Sequence, residues 1–198
     1  MSDGRISGAG IAVADVGCGL GASTRILADA YPASSVRGFD SHAESVELAR
    51  KAAAEAGLDG RCDFAVARAQ DFPGTAYGLV ATFDCLHDMG DPVAAARHIR
   101  SALSDDGVWL IVEPFAGDVP EDNLTPVGRV YYSASTFLCV PHAISEGADD
   151  ALGNQARRGR HQARGASGRV PDVPPGGGDP VQPGLRGPPL SPRPCAAP

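Results

Sequence analysis

No apolar run in this chain approaches the ~20 residues that a helix needs to cross a bilayer. No secretory leader opens it either: the charged, apolar and small-residue regions of a signal peptide are missing. The five cysteines, Cys18, Cys62, Cys85, Cys139 and Cys195, have none of the paired spacings of zinc-binding or redox motifs. Reduced thiols in a cytoplasmic protein are the expectation. An excess of positive charge is lacking too. The formal net charge is −7 and the isoelectric point about 5.1, which sets aside a general affinity for nucleic acid or for anionic membrane. Aromatic residues are scarce at 6% of 198, and beyond Ala156 there are none.

That last absence marks a seam. In the 42 residues from Arg157 to Pro198 stand ten of the 17 prolines, eight of the 25 glycines, and seven arginines against two aspartates. Such a segment buries too little apolar surface to offset its chain entropy. The expected organisation is one domain over residues 1–156 and a disordered Pro/Gly/Arg-rich tail over 157–198.

Within the domain, everything is arranged around Ile11-Ala-Val-Ala-Asp-Val-Gly-Cys-Gly-Leu-Gly21. An apolar run breaks into glycines at alternate positions, Gly17, Gly19 and Gly21, and a helix-like segment follows at once, with Ser23 and Thr24 in place to cap it. This pattern predicts a buried strand, a turn free of Cβ atoms, and a helix N-terminus aimed at whatever lies in the turn. A tight strand-to-helix turn needs glycine in any case, so the run alone leaves ligand binding and plain turn chemistry both open.

Further strand-like runs recur at Ser35–Phe39, Cys62–Ala67, Tyr77–Phe83 and Gly107–Val112, separated by helix-favouring stretches at Ser23–Ala30, Ala43–Ala56 and Asp91–Leu103. Alternation at this spacing predicts an α/β fold with a mostly parallel sheet. Strands apolar on both sides imply helices on both faces.

Polar side chains gather where the predicted strands end. Asp40 closes the second strand, 19 residues beyond Gly21, where a carboxylate can take both hydroxyls of an adenosine ribose or cap the helix that begins after Ser41. The third strand leads into Arg68-Ala69-Gln70, able to flank an adenine or to form a plain surface loop. The fourth ends in Phe83-Asp84-Cys-Leu-His87-Asp88 and the fifth in Glu113-Pro-Phe115. In an open α/β sheet such groups point into the ligand crevice.

Together, Asp15-Val-Gly-Cys-Gly-Leu-Gly21, Asp40, Ala69-Gln70 and Phe83-Asp-Cys-Leu-His-Asp88 resemble the class I methyltransferases that use S-adenosylmethionine, which have a Rossmann-like sheet. Phe83–Pro92, Val112–Asp118, Glu121–Arg129 and Ala151–Gln155 narrow the likeness to a bacterial group with a winged-helix domain before the methyltransferase domain. The resemblance implies that Asp15, Gly17, Cys18, Gly19 and Gly21 line the methionine and ribose part of S-adenosylmethionine. It places Asp40 and Ser41 at the ribose, Ala69 and Gln70 at adenine, and Phe83 and Asp84 by the sulfonium and amino group. Many relatives carry an acid where Arg68 stands. A methyltransferase on a small-molecule acceptor is expected, with no metal and with a homodimer as one arrangement. A non-catalytic module for the same ligand and an NAD-dependent oxidoreductase are the alternatives; Ala22 at the usual third-glycine position counts softly against the latter.

His87 is the best-placed candidate base, needed only if the acceptor loses a proton, and a packing histidine is its other reading. With about ten residues before Ile11, the segment Asp118–Asn154 is the expected lid, its Tyr131, Tyr132, Phe137, Leu138 and Val140 being core, dimer contact or pocket. The group's closing strands are not legible after residue 156. A frameshift near that point in a GC-rich gene accounts for the tail, since Val170–Pro188 can be encoded so that the neighbouring frame reads like those strands. An unpaired fifth strand and poor solubility would follow.

Overall fold

The computed structural model describes residues 10–58 and 60–156. The tail from Arg157, and with it the expectation of disorder or of a shifted reading frame, lies outside the described residues.

The alternation read from the sequence becomes a parallel sheet. Strands β1 (Ala12–Val16), β2 (Ser35–Asp40), β3 (Cys62–Val66), β4 (Tyr77–Phe83) and β5 (Leu103–Val112) lie in the order β3-β2-β1-β4-β5, every pairing parallel. After β3 the chain returns to the other side of β1. The β1–β4 boundary is therefore a topological switch point, where the carboxyl ends of the strands open a crevice.

Helices α1 (Ala22–Ala30), α2 (Ala43–Glu55) and α3 (Pro92–Ala102) connect the strands. One apolar cluster joins Val13, Val36, Phe64 and Leu79 of the sheet to Ala28 of α1 and to Val46, Ala49 and Ala53 of α2. On the other face, Val16, Phe39, Phe72 and Val80 meet Ile99 and Ala102 of α3. Both faces are thus covered, as the apolar strands require. Local capping fixes the helix starts. Asp91 accepts from the Ala94 amide at 2.8 Å with Pro92 in the first turn, and the His42 ring accepts from the Ser45 amide at 3.3 Å. The cap expected from Ser23 or Thr24 does not form: Gly21 is the N-cap of α1, without a side-chain bond.

β5 departs from the reading in two ways. It begins at Leu103 rather than Gly107, because Tyr77 pairs with Leu103 while Leu79 pairs with Val108, looping out Ser104–Gly107 as an irregularity. It is also covered on one side only: Val108, Leu110 and Val112 are 47%, 40% and 44% exposed. Among the described residues β5 pairs with β4 alone.

Beyond β5 the chain forms a short 3-10 turn (Pro120–Asn123), α4 (Pro126–Ala134), a π-helical turn (Ser135–Cys139) and α5 (Val140–Ser145). The aromatic stripe foreseen in this segment does not build a core. Phe137 and Leu138 are 78% and 67% exposed, and Ala143 is the apolar residue of α5 that is buried. None of the helices among the described residues is long and apolar enough to cross a membrane.

Candidate functional site

The glycine turn after β1 is held to β2 by its own backbone: the amides of Gly17 and Cys18 both donate to the Phe39 carbonyl, at 2.8 and 3.0 Å. Gly17, Gly19 and Gly21 all have positive φ, at 75°, 52° and 72°, a region that suits glycine. Their surroundings differ. A Cβ on Gly17 would lie 2.6 Å from Cys85 Sγ, and one on Gly21 would lie 2.5 Å from the Phe64 ring. At Gly19 there is nothing within 4 Å. Gly17 lets the turn after β4 approach, Gly21 lets α1 seat against β3 and α2, and Gly19 alone faces open space.

Asp40, at the end of β2, reaches across to this turn. Its Oδ2 accepts from the Gly19 amide at 2.8 Å and its Oδ1 from the His42 amide at 2.9 Å. The carboxylate is therefore fixed in place beside a cleft of about 170 Å³. Of the residues singled out from sequence, Gly17, Asp40, Ser41, Ala69 and Gln70 line this cleft. Asp15, Cys18, Gly19, Gly21, Phe83, Asp84 and His87 are not in its lining. Cys18 is a core residue, 6% exposed, and burial, with the nearby charges of Asp15 and Asp40, pushes its thiol up to about 12. The Gln70 side chain donates to the Asp91 carbonyl at 3.3 Å, tying the loop to the start of α3. Asp84 projects to solvent from a left-handed backbone conformation, φ 53°.

Asp88, read from the sequence as one of the polar groups at this rim, lines the cleft too, and three lining residues were not foreseen: Met89 after β4, and His142 and Glu146 at the end of α5. His142 Nε2 lies 3.8 Å from Glu146 Oε1, an i,i+4 pair at the cleft. Only the fold brings α5 to this rim. A larger groove, about 320 Å³, runs along α4 between Leu124, Arg129, Tyr132 and Phe137, and shares no residue with the cleft.

Asp15 is 1% exposed. Its Oδ2 accepts from the hydroxyls of Ser23 and Thr24, both at 2.6 Å, which is where those two side chains go instead of capping α1. Its Oδ1 is buried with no partner. Burial raises the Asp15 carboxyl above the usual aspartate range; the two hydroxyl bonds oppose this and the charge of Asp40 adds to it. An orphaned carboxylate oxygen at the end of β1 is matched by a ligand that brings a positive charge or a donor.

His87 stands in a 3-10 turn (Leu86–Asp88) after β4, 3% exposed. Its Nδ1 is hydrogen-bonded to Glu113 Oε2, just past β5, while Glu113 Oε1 accepts from the amides of Cys85 and Leu86 at 3.3 and 2.8 Å. Asp84 lies 3.9 Å from the ring. Oxygen and nitrogen donors of Asp84, His87 and Glu113 converge within 4.8 Å of one another; the bonds among them make this an acid–imidazole pair rather than a set of free ligands. Glu113 was visible in the sequence only as one more polar group at the rim.

A parallel sheet with this strand order, a glycine turn after β1, a carboxylate on the turn's amide and a cleft at the switch point define the class I methyltransferase fold, whose cofactor is S-adenosylmethionine. The match to known families agrees: the model of a methyltransferase-domain family covers residues 7–158, and the chain belongs to that family. Trans-aconitate 2-methyltransferase of Streptomyces avermitilis is 40% identical over 116 residues, 57% of this chain and 42% of that protein. The chain thus spans less than half the length of this curated relative. Among solved structures, a candidate O-methyltransferase of Nostoc punctiforme has a TM-score of 0.63 at 19% identity, covering 79% of this chain and 45% of that one. The [4+2]-cyclase SpnF has a TM-score of 0.50 at 27% identity, covering 55% and 41%. The last of these cautions that a shared sheet does not by itself name a reaction.

The residues present fit the cofactor. The orphaned Asp15 oxygen suits an ammonium group, the fixed Asp40 carboxylate suits paired hydroxyls, and the open space at Gly19, whose amide is bonded to Asp40, leaves room for a ligand against the turn.

Proposed function

We propose that this chain transfers the methyl group of S-adenosylmethionine to a small-molecule acceptor. The observation that carries the reading is the Asp40 carboxylate, held by the Gly19 amide at 2.8 Å and facing the cleft at the switch point. When bound, the cofactor would supply an electrophilic sulfonium methyl for in-line transfer to the acceptor, with S-adenosylhomocysteine as the neutral leaving thioether. Alignment of the two provides much of the rate.

The chain's own part is to bind and orient. Asp40 and Ser41 take the ribose end, and Ala69 stands at the base. Asp15, two residues before the lining Gly17 and itself outside the lining, offers the amino group the oxygen that lacks a partner. His87 is engaged by Glu113 and does not line the cleft, whereas His142 does. Where the acceptor must lose a proton, His142 is the imidazole that faces it.

The trans-aconitate enzyme makes small carboxylic acids the first acceptors to try. The test is calorimetric titration with S-adenosylhomocysteine and NAD, followed by methyl transfer from labelled S-adenosylmethionine to a panel led by trans-aconitate. Uptake of S-adenosylhomocysteine but not NAD, weakened at least tenfold by Asp40→Ala, is the expected result; uptake untouched by that change overturns the reading. A cofactor-binding module without turnover is the second reading, favoured by the exposed side chains of Leu124, Val127, Phe137 and Leu138 on the expected lid. Binding with no methylated product across the panel would select it.

A further inference from the structure

The turn after β4 supplies one wall of the cleft through Cys85, Asp88 and Met89. What holds that turn is not in the turn. It is the Glu113 carboxylate, arriving from the end of β5 with an 8% exposed side chain. One of its oxygens takes two successive amides, those of Cys85 and Leu86, and the other takes the His87 ring. One side chain thus fixes three consecutive residues of the turn, of which Cys85 lines the cleft, across a separation of 26 to 28 positions in the chain.

We propose that Glu113 is the positioning residue of the cofactor cleft: its carboxylate clamps the turn after β4 in the binding shape, and the clamp is tightest when His87 carries its positive charge. This rests on the reading that the cleft takes S-adenosylmethionine. The surroundings of His87 support it. Asp84 and Asp88 belong to its own turn, Glu113 comes from β5, and His142 of α5 faces Asp88. Its backbone carbonyl accepts from the Gly153 amide at 3.0 Å. Burial works against a charged ring here, but the Glu113 hydrogen bond and the charges of Glu113, Asp88 and Asp84 outweigh it, so His87 titrates above the usual imidazole range.

The sign follows. The imidazolium–carboxylate pair is complete below the ordinary histidine range and is lost as pH rises through the raised value. A wall formed only part of the time lowers apparent affinity by the fraction of molecules that are competent. Affinity for S-adenosylhomocysteine therefore falls as pH rises through the raised His87 value, by more than the ligand's own titration explains.

Two variants of the full chain separate charge from hydrogen bonding. Glu113→Gln keeps an acceptor for the Cys85 and Leu86 amides but loses the charge; Glu113→Leu loses both. Hydrogen exchange of the protein without ligand is expected to show those two amides protected in wild type, still protected in Glu113→Gln, and released in Glu113→Leu. Titration is expected to show Glu113→Gln binding S-adenosylhomocysteine at least fivefold more weakly at pH 6, with the excess pH dependence gone. The ligand's own ionisation is common to both proteins and cancels. Equal affinity and equal pH dependence in wild type and Glu113→Gln would overturn the proposal, as would unchanged amide protection in a folded Glu113→Leu. If wild type binds no S-adenosylhomocysteine, the proposed function fails instead. The clamp then stands or falls on amide protection in Glu113→Leu, or, should that variant not fold, on whether Glu113→Gln moves the His87 titration seen by NMR.

Discussion

At Gly17 and Gly21 a methyl group would collide with Cys85 and Phe64, while at Gly19 it would meet nothing within 4 Å. Overpacking a filled interior costs ~1–3 kcal/mol. Gly17→Ala and Gly21→Ala, which add this to the left-handed backbone strain that all three glycines share, are therefore expected to reduce the unfolding free energy by at least that much, read as a lower denaturant midpoint. Gly19→Ala pays only its left-handed backbone, ~1 kcal/mol, and shows itself as lost S-adenosylhomocysteine affinity. Equal melting losses at all three positions would contradict the division. Asp15 gives a second contrast. Its folded carboxyl is raised by burial, so ionising it works against folding as pH rises through and above the ordinary carboxylate range. Asp15→Asn removes that charge. Its unliganded form is expected to melt no lower than wild type at pH 7, yet to bind S-adenosylhomocysteine at least tenfold more weakly. A lower melt with unchanged binding would reverse the assignment. Thiols give a third. Burial comes first in pushing Cys18 up to about 12 and Cys85 well above its ordinary value, with the charge of Glu113 next for Cys85. Neither should react with a thiol reagent at pH 7.5 in the folded protein, and both should react in urea. Rapid labelling of either in the native state would disprove this.

Among elements, β5 stands apart. β1 and β4 are buried through most of their length, whereas β5 alternates, with Val108, Leu110 and Val112 partly exposed and Trp109 tied inward by its Nε1 donating to Thr82 Oγ1 at 3.1 Å. An apolar sheet face with no strand beyond it among the described residues is a template for association. Leu110→Lys is expected to change stability by no more than ~0.5 kcal/mol, as at other surface sites, while reducing concentration-dependent light scattering. Scattering that stays as strong in the variant would place the sticky surface elsewhere, with the exposed side of α4 next in line.

At the scale of the whole molecule, the site exists because separated pieces converge. Asp40 meets Gly19 over 21 positions, Glu113 meets His87 over 26, and His142 and Glu146 return to a cleft begun by Gly17. Much of this was legible in advance where the signal is local. The strands and helices follow from apolar runs punctuated by Gly57, Asp91 and Pro92, and Asp40 follows from its distance beyond the glycine turn. Other side chains have a partner outside their own short stretch. Ser23 and Thr24 have the chemistry of helix caps, but Asp15 takes both hydroxyls. His87 has the chemistry of a base, but Glu113 takes its ring. Gly21 has the flexibility of a ligand loop, but Phe64 fills the space against it.

The sequence by itself determined the alternation of strand and helix, the bare turn after β1 and the acid that closes β2, since each depends on the residue types of one short stretch. Which groups face the ligand and which are consumed by one another was decided only in three dimensions. Hydrogen-bond partners and cavities are set by neighbours in space, and at this rim most of those neighbours lie twenty or more residues away.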